Sequence, residues 1–347
     1  MGTGNFHSLT TPHLHRLLAA FAQLDGSRIL LTGGSGFVGK WMLQIAKTAQ
    51  ENSAAKIEIV VPTRRLTADH VQTAMAIGCP NVSWVEGDFL NGALNFGHID
   101  MIVHAATPAS AQLTAENPAE MLRINVEAME SVLRYAGNHK PLLFTSSGAV
   151  YGTQPQSASH IKEGNVELNP PTEQLNAYAQ GKIIAERMCG QAGGSGQCFP
   201  IIARLFAFGG EYLPRDTHFA IGNFIQNTLD RQPIAIQGDG RARRSYLYGA
   251  DMATWLWSAL AHGETEIPFH IGSEHSVSIL ELAQTVAIVS GEVLKYVPEI
   301  IVSKEINLLE PVHQYVPANV HTRNTLQVTE WTLLEEIIRH TMLRATT

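Results

Sequence analysis

Residues Arg28 to Lys40 read RILLTGGSGFVGK. Ile29, Leu30 and Leu31 form the short apolar run of a strand buried on both faces, and a glycine-rich turn and then a helical pattern follow at once. Gly33, Gly36 and Gly39 stand three residues apart, and each missing Cβ has its own use. The first permits a tight turn, the second lets main chain approach a pyrophosphate, and the third lets the helix settle on the strand. A helix opening at Phe37 and Val38 directs its first N–H groups and its positive dipole end at phosphate oxygens. A strand-to-helix turn that merely uses glycine is the alternative; the order strand, turn, helix favours a dinucleotide site.

The chain around this turn has 347 residues, enough for one large or two modest domains. Its 31 acidic residues outnumber 24 basic ones, a net charge of -7, which argues against a nucleic-acid partner. Cys79, Cys189 and Cys198 are few and lack metal-ligand spacing, as suits a reducing compartment without a disulfide framework. No apolar run approaches the ~20 residues of a membrane helix, so no membrane association is expected and the cytoplasm is the expected location. Residues 1–26 read as an N-terminal extension carrying a short amphipathic helix after Pro12, with Leu17 to Phe21 as its apolar patch.

Strand and helix patterns then alternate. Lys56 to Val61 reads as a second strand that Pro62 ends, Val82 to Glu86 as a third, Ile99 to His104 as a fourth and Leu142 to Phe144 as a fifth. Helical spacing covers Ala68 to Ile77, Ala119 to Tyr135 and Tyr178 to Cys189, with a glycine-rich break over Gly190 to Gly196 before a sixth strand, Phe199 to Leu205. Such alternation predicts an α/β fold: a Rossmann-type, doubly wound parallel sheet over 27–205. The remainder, 206–347, is expected to be a smaller, mainly substrate-binding region, with 246–262 returning to pack on the first domain.

Tyr178 and Lys182 lie four residues apart on one helix face, so the ammonium can stabilise a phenolate. A phenol of ordinary pKa near ~10 needs such a neighbour to move protons near neutrality. Phe144 to Gly152, FTSSGAVYG, ends the fifth strand in hydroxyls where an open α/β sheet presents its ligands.

T-G-G-S-G-F-V-G, H-A-A at 104–106, R-I-N-V at 123–126, S-S-x-x-V-Y-G and Y-x-x-x-K occur in an order that resembles the extended short-chain dehydrogenase/reductases of the nucleotide-sugar epimerase and dehydratase group. The resemblance implies Ser147 as catalytic hydroxyl, ahead of Ser146. It also implies Tyr178 as general acid/base, Lys182 as its partner and ribose ligand, and Asn125 as support for the lysine. It places Asp88, with Phe89 beside it, at the adenine, and Ala105 and Ala106 against the cofactor; turn-capping is the other reading of Asp88. His104 is expected to be structural, and no metal site is expected.

Gly148 and Ala149 stand where 4,6-dehydratases of that group carry Asp and Glu, which weakens dehydration and decarboxylation as readings. Pro62-Thr63-Arg64-Arg65 replaces the acidic strand end that selects NAD, so NADP is preferred and NAD is the alternative. In the carboxyl region Gly238-Asp239-Gly240 and Arg244-Ser245-Tyr246 are similar to the segment whose arginine grips a nucleotide diphosphate. Asn223, in the helix entry, and His218 just before it complete the expected substrate residues, while Ala207 replaces an asparagine usual in that group. The expected activity is epimerisation of a nucleotide-diphosphate sugar through a keto-sugar, with NADPH-dependent keto-sugar reduction as the alternative. A 4,6-dehydratase and a non-catalytic dinucleotide sensor stand behind both. A homodimer is expected.

Overall fold

The computed structural model describes residues 9–90, 94–108, 110–164, 175–215, 219–263 and 266–346. The first part of the chain runs α1 (Thr11–Leu24), β1 (Arg28–Thr32), α2 (Phe37–Glu51), β2 (Glu58–Thr63), α3 (Asp69–Met75), β3 (Val82–Glu86), β4 (Met101–His104), α4 (Ala111–Glu116), α5 (Pro118–Leu133), β5 (Lys140–Ser147), α6 (Ala177–Gly194) and β6 (Cys198–Leu205). The second part runs β7 (Phe208–Gly209), α7 (Ala220–Leu229), β8 (Ile234–Ile236), β9 (Arg243–Arg244), β10 (Leu247–Tyr248), α8 (Gly249–His262), β11 (Phe269–Ile271), β12 (Val277–Ser278), α9 (Ile279–Val293), β13 (Ile300–Val302), β14 (Gln314–Tyr315), α10 (Val320–Leu326) and α11 (Leu334–Thr346). No helix among the described residues is long and apolar enough to cross a membrane.

Seven strands form one sheet in the order β11-β6-β5-β4-β1-β2-β3, and its recorded pairings are parallel. The order reverses between β1 and β4, the point at which an open α/β sheet leaves a crevice beyond its strand ends. Alternation along β1 explains why an apolar run is needed there. Ile29 and Leu31 join the core beneath α1, α2 and α8, while Leu30 joins the opposite layer with Met129, Phe144 and Ala185.

Two local expectations are corrected. Pro62 does not end the second strand; β2 runs on to Thr63, with Pro62 opposite Val85 of β3. Glu58 donates to Ser27 O on the β1 side and Ile59 to Asn81 O on the β3 side, so by alternation the Pro62 nitrogen faces β1. The β1 register has ended there, at Leu30 opposite Val60. Nor does glycine break the helix at 190, since α6 continues to Gly194. A Cβ on Gly193 would lie 2.7 Å from Pro200 Cγ, so that glycine serves the approach of α6 to β6, and packing offsets a propensity cost of about 1 kcal/mol per glycine.

Helix α8 lies under α1 and α2. Trp257 Nε1 donates to Met42 O at 3.0 Å, the Phe21 ring meets the Trp257 ring edge-on at 5.2 Å, and His13 stacks on Trp331 at 4.2 Å. The second part is stitched from short strands: β13 pairs β8, and β9 lies between β12 and β14.

Candidate active site

The crevice begins where β1 turns into α2. Gly33 has φ +76°, and a Cβ there would sit 2.3 Å from Ala105 O, at the end of β4. A Cβ on Gly39 would sit 2.3 Å from Gly33 O, so helix and turn touch through main chain. Gly36 is different: a Cβ there would meet only Gly33 O, at 3.3 Å, and the residue is the N-cap of α2 with no side-chain cap. The first turn of α2, from Phe37, Val38 and Gly39, therefore offers N–H groups to a mouth kept clear of side chains, which fits a pyrophosphate. Ala105 and Ala106 line the same turn from β4.

Arg64 and Arg65 follow β2, are exposed, and make no recorded ion pair among the described residues. Asp88 accepts from Leu90 N at 3.0 Å, the turn-capping role. The Phe89 ring lies in the core with Tyr135, 5.7 Å away, which leaves its main chain for any ligand.

At the end of β5, Ser147 Oγ accepts from Ala149 N at 3.1 Å and starts a 3-10 turn, Gly148–Tyr151. Tyr178 sits in the first turn of α6, which Asn176 caps by accepting from Ala179 N at 2.9 Å. Burial pushes the Tyr178 phenol up and a hydrogen bond with Ser147 pulls it down. The Lys182 ammonium is buried, donates to Thr145 O at 2.8 Å and to Thr107 Oγ1, and lies 5.8 Å from the Tyr178 ring centre. Burial brings its pKa down to about 7, with Glu186 opposing. Ser146 donates instead to Glu186, so the second serine is committed elsewhere.

Asn125 faces α6 at Gly181, where a Cβ would come within 2.8 Å of the Asn125 Cβ. Its amide donates to Met121 O at 2.9 Å, and its buried Oδ1 has no partner, so no direct bond to Lys182 is made. His104 is neutral: burial lowers its pKa to about 3, and it bonds Thr32 Oγ1 through Nδ1 at 2.8 Å.

Sequence reasoning missed Tyr315. Its phenol donates to Leu205 O at 3.4 Å, and burial pushes its pKa up while the neighbouring Ser147 hydroxyl pulls it down, so Ser147 has a phenol on either side. A Cβ on Gly148 would lie 2.5 Å from Phe206 Cε1 and 2.7 Å from Tyr315 Oη. Glycine at 148 is therefore a consequence of this packing. Thr107, too, was not foreseen.

Tyr315 pairs in register with Arg244 in the adjacent β9. The neighbouring arginines are engaged: Arg241 pairs with Asp239 at 2.6 Å, and Arg243 donates to Ser276 Oγ at 2.8 Å. Arg244 donates to main chain, at 2.7 Å to Arg243 O, and has no recorded carboxylate partner among the described residues. Half-buried Asn223 lies in the first turn of α7, whose N-cap Phe219 provides no side-chain acceptor. His218 lies outside the described residues. Among the described residues no group of three or more metal-ligating side chains occurs.

The sequence profile of the NAD dependent epimerase/dehydratase family matches residues 29–272. UDP-glucuronic acid decarboxylase 6 of Arabidopsis thaliana is 29% identical over 263 residues, spanning 75% of this chain and 73% of the relative. UDP-glucuronic acid decarboxylase 1 of Danio rerio is 26% identical over 284 residues, 80% of this chain and 65% of that one. The solved UDP-glucuronic acid 4-epimerase of Bacillus cereus, in complex with UDP-glucuronic acid and NAD, superposes with a TM-score of 0.74 at 20% identity, covering 92% of this chain and 100% of that one. A dTDP-glucose 4,6-dehydratase of Bacillus anthracis, in complex with NAD, gives 0.71 at 18% identity, covering 92% and 97%. Fold, glycine turn, hydroxyl cluster and sequence match agree: the chain belongs to the NAD-dependent epimerase/dehydratase family.

Proposed function

We propose that this protein is a nucleotide-sugar epimerase that works through a keto-sugar, with 206–347 as its mainly substrate-binding region. The observation that carries the reading is the Ser147–Tyr178–Lys182 cluster at the strand ends, with Arg244, in register with Tyr315, making no ion pair among the described residues. Bound in the glycine crevice, a nicotinamide would accept and return a hydride. Tyr178 exchanges the proton of the reacting sugar hydroxyl, and Ser147 holds the same oxygen. The ammonium of Lys182 favours the phenolate and binds the ribose, while Arg244 takes the diphosphate in fork geometry. Gly148 and Ala149 bring no carboxyl group, and the Phe206 and Tyr315 contacts fill the space a side chain at 148 would need. This disfavours dehydration, and Ala149 also disfavours the decarboxylation performed by the similar plant and fish enzymes.

The second reading, NADPH-dependent reduction of a keto-sugar, is favoured by the exposed Arg64 and Arg65, which make no ion pair among the described residues and suit a 2′-phosphate. For the same reason we favour NADP over NAD. A cytoplasmic homodimer is the proposed form. With a panel of UDP- and dTDP-sugars in excess over enzyme, epimerisation inverts sugar without net change in NADPH absorbance. Loss of one NADPH per sugar converted would overturn it in favour of reduction.

A further inference from the structure

Behind the hydroxyl cluster lies a buried polar chain that the proposed chemistry does not use. Glu186 is one helical turn beyond Lys182 on α6, and Arg204 on β6 grips its carboxylate in a fork, Nε to Oε1 at 3.0 Å and Nη2 to Oε2 at 2.7 Å. The two side chains are only 11% and 13% exposed, so this is no solvated surface pair. Ser146 donates to the same carboxylate. From its far side Arg204 donates to the Tyr151 hydroxyl at 2.6 Å, Tyr151 meets His270 Nε2 at 2.7 Å, and His270 Nδ1 meets Ala318 O at 2.8 Å. Burial keeps His270 neutral, so one assignment satisfies the row: Arg204 donates to Tyr151, Tyr151 to His270, and His270 to Ala318. Each guanidinium nitrogen donates once, and Arg204 is fixed. Glu186 is fixed in turn.

A fixed carboxylate matters because of what surrounds Lys182. Its protein acceptors, Thr145 O and Thr107 Oγ1, are neutral, and a buried ammonium without a compensating charge tends to lose its proton. The titratable or charged groups facing this assembly among the described residues are Tyr178 and Glu186 on α6 and His104 on β4. Cys189 beside Glu186, Arg204 on β6, Tyr151 after β5, His270 on β11, Tyr315 on β14 with Arg244 beside it, and Glu163 and His321 beside His270 complete the set. Tyr178, Tyr151 and Tyr315 are phenols pushed up by burial, the Cys189 thiol is pushed up by its hydrogen bond with Cys198 and by burial, and His104 and His270 are neutral. Glu163 serves His321, Thr322 and the main chain of His270. That leaves Glu186 as the negative group acting on the ammonium, consistent with the direction in which it moves Lys182.

We propose that Glu186 is a positioning residue whose carboxylate, anchored by Arg204 and Ser146, keeps the buried Lys182 charged for ribose binding and for Tyr178. This rests on the reading of Lys182 as a cofactor residue. The test is the affinity for NADH or NADPH, whichever binds tighter, measured by nucleotide fluorescence from pH 5.5 to 9. In the unmodified protein affinity falls as pH rises and Lys182 loses its proton. Glu186→Gln should move that midpoint down by about one pH unit, and Arg204→Met should also move it down, by less, because the buried carboxylate then loses the guanidinium that holds it in place and charged. A midpoint unmoved in both, with affinity altered by one factor at every pH, would mean a packing role and overturn the proposal. Should Glu186→Gln fail to fold, Arg204→Met decides alone: a lowered midpoint supports the proposal, and an unmoved or raised one overturns it. Lys182→Met should abolish the midpoint; if it keeps the wild-type profile, the reading of Lys182 itself fails, and the inference with it.

Discussion

Where β1 meets α2 the crevice is lined by main chain, whereas at the ends of β5 and α6 it is lined by hydroxyls, an ammonium and a guanidinium. The glycine turn is assembled from residues 33–39 and the adjoining Ala105 and Ala106. The hydroxyl cluster draws Ser147, Tyr178 and Tyr315 from β5, α6 and β14. The contrast separates holding a cofactor from moving a proton: the first uses N–H groups any sequence supplies once Cβ atoms are cleared, the second needs particular side chains at a shared point. Each end should therefore fail in its own way.

The largest effect is expected from Tyr178→Phe. Loss of the proton-carrying hydroxyl should cut turnover by at least about a hundredfold, while cofactor affinity measured by nucleotide fluorescence stays near wild type. A near wild-type rate would break the division. Replacing both Arg64 and Arg65 by alanine tests the other end: NADPH should weaken by about one to two decades, the loss of a charge-assisted contact of ~1.5–3 kcal/mol, with NADH much less affected. Equal weakening of the two cofactors would return these arginines to ordinary surface. The smallest effect is expected from Tyr315→Phe, which leaves Tyr178 in place and takes away the second phenol hydroxyl beside Ser147. A fall in kcat of about tenfold or less, with unchanged cofactor affinity, corresponds to one neutral hydrogen bond of ~1 kcal/mol. A change in cofactor affinity instead would join the two ends that the comparison keeps apart.

The same contrast explains what could be read from the sequence. The strand of Ile29 to Leu31, the turn at Gly33 and the helix after Phe37 are contiguous, so periodicity and glycine spacing reveal them together. The end of β5 and the first turn of α6 were legible for the same reason. Residue type alone misled at Pro62 and at Gly190 to Gly194. What matters there is which way a nitrogen faces and which helix face meets β6, and both are set by neighbours distant in sequence. Tyr315 was invisible because β14 is two residues long, too short for a period, and its partner Arg244 lies far back in the chain. Thr107, 75 residues from the lysine it accepts from, carries no motif. For Ser146 and Ser147, adjacent and alike, Glu186 makes the difference by engaging the first.

Helix α1 has a consequence for the order in which the molecule is completed. It leaves the ribosome well before its partners: Thr254, which bonds His13, lies 241 residues further on, and Trp257 and Trp331 follow later still. At about 5–20 residues per second, its apolar stripe of Leu17, Ala20, Phe21 and Leu24 waits on the order of 10–50 s for the partners that α8 brings. During that interval the glycine turn and the first strands can form from local contacts, but the layer above them stays open. Closure depends on a crossing of high sequence separation, the slow kind of contact, and the nascent chain carries a sticky amphipathic helix until α8 is made.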